Sequence, residues 1–258
     1  MKEYICPKCH SVLPEKEGVD LLCPKCNLKY SLKDNFLKYD FDKLLFDNFR
    51  KNYLLNKVLG NNSYISYHFL KKGSLSLPKR GEVKRFKEYI LKDVSGGRIL
   101  DVGCGIMEIP GYLDFSNKGN FKFYGIDPID EGSFFGKKVV GCSEFMPYPA
   151  DFFDLVIFAT SLDHLCSIDK SIQETYRVLK DGKIVKVWMS DFNFEWKTNK
   201  INRLINKLKI LKKIIRTSIK RGYRIDKFIR YPKENLVFFV PKGAVDPFHV
   251  VYESPKKS

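Results

Sequence analysis

The stretch Arg98-Ile-Leu-Asp-Val-Gly-Cys-Gly105 constrains this chain more than any other part of it. An apolar run (Ile99, Leu100, Val102) carries an acid, Asp101, and runs directly into two glycines, Gly103 and Gly105. This reads as a buried strand feeding a tight turn. Glycine lets the backbone bend sharply and lets a ligand approach it with no side chain in the way. A helix over 106–115 is expected after the turn, its first amides aimed at the ligand. At the distance a βαβ unit needs comes a second strand, Phe121-Lys-Phe-Tyr-Gly-Ile-Asp127, which also ends in an acid. Strand, glycine turn, helix, strand and terminal acid make a nucleoside-binding half-fold.

Further strands are expected at 137–141, 153–159 and 183–189, with a helix at 169–179. Such alternation predicts an α/β fold: a mostly parallel, Rossmann-like sheet with helices on both faces. Upstream, apolar residues recur at helical spacing from Asp34 to about Leu59, and a second helix is expected over 82–93. Two short apolar runs, Leu236–Val240 and Phe248–Tyr252, look strand-like. The antiparallel strand pair that would close such a sheet is hard to recognise. The predicted organisation is a ribbon at 1–32, a helical linker or lid at 33–79, a nucleoside-binding core at 80–192, and a basic helix with a C-terminal lobe at 193–258.

The ribbon rests on two identical knuckles, Cys6-Pro-Lys-Cys9 and Cys23-Pro-Lys-Cys26, separated by thirteen residues. That spacing allows a short hairpin to bring four thiolates together, a ligand set that suits structural Zn²⁺. A rubredoxin-like iron site would use the same ligands. Four thiolates close the metal to substrate and water, so no catalysis is assigned to it. His10 is read as a turn residue in preference to a ligand. The ribbon either staples a lobe too small to hold a core or recognises substrate.

The chain of 258 residues carries 46 Lys+Arg against 30 Asp+Glu, a net of +16. Between Trp196 and Arg230 there are thirteen bases and one acid, a net of +12, which leaves about +4 for everything else. Over 197–221 one helical face is Ile and Leu (Ile201, Leu204, Ile205, Leu208, Leu211, Ile215, Ile219) and the other almost wholly basic. A solvated face ordinarily mixes both signs. A polyanionic partner is therefore expected, either an anionic membrane surface or RNA. No apolar run is long enough to span a bilayer and no secretory signal is evident. The seven cysteines do not read as a disulfide framework, so a cytoplasmic protein is expected, with peripheral membrane attachment as an option.

Over roughly residues 80–190 the chain resembles the class I S-adenosylmethionine-dependent methyltransferases of the type 11-like group. Asp101-Val-Gly103-Cys104-Gly105 is similar to the family's first motif, whose glycines take the methionine part of the cofactor. Asp127, followed by Pro128, matches the acid that accepts from both ribose hydroxyls. Gly141-Cys142-Ser143-Glu144, with Met146-Pro147-Tyr148, matches the segment that cups adenine. Phe153–Val156 through Ala159-Thr160-Ser-Leu-Asp163-His164 matches the fourth strand and the loop beside the methyl group, and Tyr176–Gly182 the turn before the fifth strand.

Two departures stand out. Met107 replaces the usual third glycine, and Cys142 replaces the acid that often meets the adenine amine, leaving that contact to a backbone carbonyl or Glu144. A Rossmann dehydrogenase would also want a glycine where Ile106, Met107 and Glu108 stand.

Methyl transfer from a sulfonium mainly requires alignment of the nucleophile. A base is needed where the acceptor is a hydroxyl. His164 is the candidate base, with Asp163 beside it, because imidazole titrates near neutrality. Its alternative role is to cap the loop or pack beside the cofactor. The resemblance implies methylation of a small or lipid-linked molecule, such as a sugar of surface polysaccharide. A ribbon ahead of the domain also resembles the ribosomal RNA guanine methyltransferases, although those end the second knuckle with histidine where this chain has Cys26. A non-catalytic binding scaffold is the third reading.

Overall fold

The computed structural model describes residues 3–14, 16–33, 36–54, 81–92, 94–115, 120–159, 161–162, 165–190, 229–231, 236–242 and 246–250. Five parallel strands form the centre: β4 (Gly96–Val102), β5 (Asn120–Asp127), β6 (Lys137–Val140), β7 (Phe153–Ala159) and β8 (Leu179–Ser190), in the order β6-β5-β4-β7-β8. Strand order switches sides at β4, with β5 and β6 on one flank and β7 and β8 on the other, so its C-terminal end and that of β7 open onto a crevice where this class of sheet takes ligands.

Side chains alternate across this sheet with the period of two that a strand imposes. Ile99, Leu155 and Ile157 face one side, where they pack with Val83, Phe86 and Ile90 of α2 (Gly81–Leu91). Leu100, Val102, Val156 and Phe158 face the other, with Ile168 and Ile172 of α3 (Ile168–Val178) and Leu44 and Leu45 of α1 (41–54). Helices thus cover both faces, as the apolar pattern requires. Ser167 caps α3, its hydroxyl accepting from the Lys170 N–H at 3.3 Å.

Three expectations are corrected. No α-helix follows the glycine turn. Residues 106–115 hold turns and a short 3₁₀ helix, Gly111–Leu113. Pro110 explains this: it lacks an N–H and disfavours helical backbone at the residue before it. The helix expected from Asp34 begins only at residue 41, because Phe36–Tyr39 is a strand, β3. Finally, the closing antiparallel strands are present. β10 (Leu236–Lys242) runs antiparallel to β8 with Phe238 opposite Trp188, and β9 (Ile229–Tyr231) and β11 (Asp246–Val250) both pair with β10.

The N-terminal lobe is sewn into this sheet. β1 (Gly18–Leu22) pairs with β2 (Lys29–Lys33), β2 with β3, and β3 lies parallel to β6 with Leu37 opposite Val139. One eleven-stranded sheet therefore runs from the cysteine lobe to β11. Among the described residues no helix is long and apolar enough to cross a membrane. The basic stretch 197–221 lies outside the described residues.

Candidate active site and metal centre

β4 delivers the glycine bend to the crevice. Gly103 (φ 79°) and Gly105 (φ 67°) adopt left-handed backbone, which side chains other than glycine's resist. Gly103 is further restricted by packing: a Cβ there would lie 2.4 Å from Ser161 Cβ. Its N–H donates to the Ile126 carbonyl at 2.8 Å, tying the bend to β5. Cys104 is buried against Gly125, where a Cβ would approach its Sγ to 2.6 Å.

Asp127 closes the bend. The Gly105 N–H donates to its Oδ2 and the Ile129 N–H to its Oδ1, both at 2.8 Å. Each carboxylate oxygen keeps a further lone pair, as a vicinal diol would need. Burial raises its pKa, and the two amides and the nearby Lys138 ammonium oppose that rise. Lys138, itself buried, donates to the Glu131 carbonyl at 2.7 Å and so holds the loop after Asp127. Pro128 is exposed.

Asp101 is fully buried at the end of β4. Its Oδ2 accepts from the Tyr112 hydroxyl at 2.7 Å, whereas Oδ1 has no partner. Burial pushes its pKa up to about 7, against the Tyr112 hydrogen bond and with help from Asp127. An orphaned buried carboxylate oxygen costs free energy unless a ligand satisfies it. Beside it lies a cleft lined by Gly103, Cys104, Gly105, Ile106 and Met107 from the bend, Pro110, Gly111 and Tyr112 after it, and Val83, Ala159 and Trp188 opposite.

 Ala159 forms that opposite wall from the end of β7 and Trp188 from β8, while Met107 borders the space without filling it. The same Tyr112 and Trp188 rings meet edge to face, 6.2 Å apart.

Val83, Tyr112 and Trp188 were not evident as site residues from sequence. Tyr112 was hidden by the expectation of a helix, and Pro110 was the signal against it. Val83 and Trp188 come from elements distant in sequence, and only the sheet brings them to the bend.

Cys142, Ser143 and Glu144 lie outside the lining of this cleft, in a buried turn after β6. The Gly141 N–H donates to the Asp127 carbonyl at 3.0 Å, so the turn starts beside Asp127. Ser143 Oγ accepts from the Ser171 hydroxyl at 2.6 Å, and Glu144 Oε1 accepts from the Ser167 N–H at 3.0 Å, at the N-terminus of α3. Burial raises the Glu144 pKa, and the amides around it oppose that. Thr160, Asp163 and His164 lie outside the described residues.

In the N-terminal lobe the four sulfurs of Cys6, Cys9, Cys23 and Cys26 lie within 4.8 Å of one another. Cys6 Sγ is 3.5 Å from Cys26 Sγ, and Cys9 Sγ is 3.6 Å from Cys23 Sγ. Tetrahedral zinc with Zn–S near 2.3 Å places its sulfurs about 3.8 Å apart, so the set fits the ion. His10 and Asn27, each just after a knuckle, take left-handed backbone (φ 57° and 55°) and close the two turns alike. The Ser11 hydroxyl lies 3.1 Å from Cys9 Sγ and 3.2 Å from Cys23 Sγ, a polar contact for the thiolates.

Residues 100–186 match a family model described as a methyltransferase domain. Among solved structures the chain is similar to the YcgJ protein of Bacillus subtilis, with 17% identity over 57% of this chain and 71% of that one (TM-score 0.42). It is also similar to a SAM-dependent methyltransferase from Aquifex aeolicus, with 18% identity over 60% and 87% of the two chains (TM-score 0.42). A third is phosphoethanolamine N-methyltransferase 2 of Haemonchus contortus, with 19% identity over 56% and 37% (TM-score 0.38). No curated protein matches the sequence. The matched segment spans the glycine bend, Asp127 and strands β5 to β7 in the order the fold requires, and over residues 100–186 the chain carries a methyltransferase domain.

Proposed function

We propose that the chain methylates a small or lipid-linked acceptor, such as a sugar of surface polysaccharide. The lining of the cleft carries this reading. Its walls are glycine backbone and the apolar or aromatic side chains of Val83, Met107, Pro110, Tyr112, Ala159 and Trp188, with no Lys or Arg among the described residues. With the cofactor on the glycine side of this cleft, an acceptor meets the apolar and aromatic wall of Val83, Tyr112 and Trp188, which suits a compact molecule better than a phosphate backbone that needs bases around it.

S-adenosylmethionine supplies an activated methyl group when bound. In our reading Gly103 and Gly105, with Cys104 between them, let its methionine part rest on backbone. The unpartnered Oδ1 of Asp101 accepts from the ammonium. Asp127 takes the ribose diol, Pro128 turns the chain away from it, and the Cys142–Glu144 turn with Met146-Pro147-Tyr148 holds adenine. Ala159 and Thr160 border the methyl group. His164, oriented by Asp163, removes the acceptor proton if that acceptor is a hydroxyl. The four cysteines hold zinc structurally. The basic stretch 197–221 binds a polyanion, and for a lipid-linked acceptor that is the anionic membrane surface.

The test uses purified full-length protein and S-adenosylmethionine labelled at the methyl group, offered glycolipid and saccharide extracts beside total RNA. Label in the glycolipid or saccharide fraction, lost in His164→Gln through kcat more than KM, supports the reading. Label confined to RNA refutes it in favour of an RNA substrate. Wild-type protein that fails to bind S-adenosylhomocysteine in calorimetry points to the scaffold.

A further inference from the structure

The turn after β6 reads its ligand, in the proposal above, with unusual side chains. Cys142 has no carboxylate, the Ser143 hydroxyl is engaged by Ser171, and the Glu144 carboxylate sits on the Ser167 amide. Adenine is then met chiefly by the backbone of the turn, and whatever fixes that backbone fixes recognition.

One side chain from outside the catalytic domain bonds to both of its ends. Tyr39, at the end of β3, is buried against the turn. Its hydroxyl donates to the Phe145 carbonyl at 2.6 Å and accepts from the Cys142 N–H at 3.0 Å. One phenol thus joins the two ends of the turn. Its ring fills the space beside Gly141, where a Cβ would lie 2.3 Å from Tyr39 Cε1. Elsewhere the lobe meets this region through the pairing of β3 with β6, the Tyr4 ring 5.8 Å from that of Tyr148, the Ile5 N–H donating to the Pro147 carbonyl at 3.0 Å, and the Tyr124 hydroxyl meeting Glu3 Oε1 at 3.2 Å.

We propose that Tyr39 is a positioning residue for adenine, so that the cysteine lobe completes the cofactor site through β3. The inference rests on the reading that the 141–145 turn holds adenine. It answers what the lobe contributes: a strand whose last side chain sets the conformation of a loop in the catalytic domain.

The experiment compares S-adenosylhomocysteine with S-inosylhomocysteine, in which an oxo group replaces the 6-amino group, by calorimetry at a temperature where circular dichroism shows each protein folded. Wild type prefers the adenosyl ligand. Tyr39→Phe leaves the Cys142 N–H and Phe145 carbonyl without the phenol, and it weakens the adenosyl ligand about ten-fold, the value of roughly one hydrogen bond. The inosyl ligand weakens less, so the preference shrinks. Gly141→Ala, which displaces the same ring, does the same. Tyr124→Phe removes a lobe contact that does not touch the turn and leaves the preference unchanged. The proposal is overturned if Tyr39→Phe keeps the wild-type preference, whether both ligands bind normally or both weaken equally. A wild type that binds S-adenosylhomocysteine without preferring it to the inosyl ligand overturns the adenine reading of the turn instead.

Discussion

Asp101 offers the sharpest quantitative test of the cofactor site. In the free protein burial raises its pKa to about 7. At pH 5 only about 1% of the carboxyl is ionised, and at pH 7 about half. Pairing with the cofactor ammonium requires the ionised form, so apparent affinity follows that fraction. The ligand's own amino group, with an ordinary pKa near 7.8, remains mostly protonated over this range. Affinity for S-adenosylhomocysteine should therefore rise about forty-fold from pH 5 to pH 7, or roughly 2 kcal/mol. Binding at pH 6 should release about 0.9 proton, because some nine-tenths of the carboxyl starts out neutral. Calorimetry in two buffers of different ionisation enthalpy counts that proton directly. Asp101→Asn cannot ionise, so it should abolish most of the release and flatten the profile, and should bind at least about ten-fold more weakly at pH 7. Asp127 shifts in the same direction, and whatever slope survives in Asp101→Asn is its share. A wild type that takes up or releases no proton at pH 6 would refute the assignment of the orphaned oxygen to the ammonium.

The same carboxyl affects stability. Between about pH 4 and 7 the folded, ligand-free protein retains a proton on Asp101 that the unfolded chain has already lost, so this group's contribution to stability falls as pH rises through that window; thermal denaturation against pH should show a shallower decline in Asp101→Asn. Gly103→Ala places a Cβ 2.4 Å from Ser161 Cβ and forces left-handed backbone on alanine at φ 79°; the backbone alone costs about 1–2 kcal/mol, and S-adenosylhomocysteine affinity should fall at least about ten-fold in calorimetry. One zinc per chain is expected by elemental analysis, and Cys23→Ser should lower both that stoichiometry and the melting temperature, the latter by roughly 2–4 °C for each kcal/mol of metal-derived stability; full metal retention in Cys23→Ser would argue against the four-sulfur site.

Legibility in the sequence followed locality. Gly103 and Gly105 needed left-handed backbone because of the bend they make, and Asp127 stood at the end of a strand whose apolar alternation was plain. The two Cys-Pro-Lys-Cys knuckles carried their own geometry, and the structure gathers their sulfurs at metal-binding distance. The helix after the bend was misjudged where one residue, Pro110, outweighed the general pattern of such units. The strand Phe36–Tyr39 was read as helix because its four residues flow into a helix with no break in apolar content. A strand of that length is decided by neighbours to pair with, here β2 on one side and β6, a hundred residues away in the chain, on the other.

By itself, then, the sequence determined the strand and glycine bend and the four-cysteine cluster, since each depends on residues close together in the chain whose spacing dictates local geometry, and the resemblance those residues carry pointed to methyltransferase chemistry. Tertiary structure decided what lies across from the bend and what the cysteine lobe is attached to. Trp188 and Val83 reach the cleft, and Tyr39 reaches the turn after β6, only because hydrogen-bonded strands and packed helix faces set distant segments side by side. Such pairings depend on complementary surfaces formed by the folded whole, and no short stretch of residues encodes them.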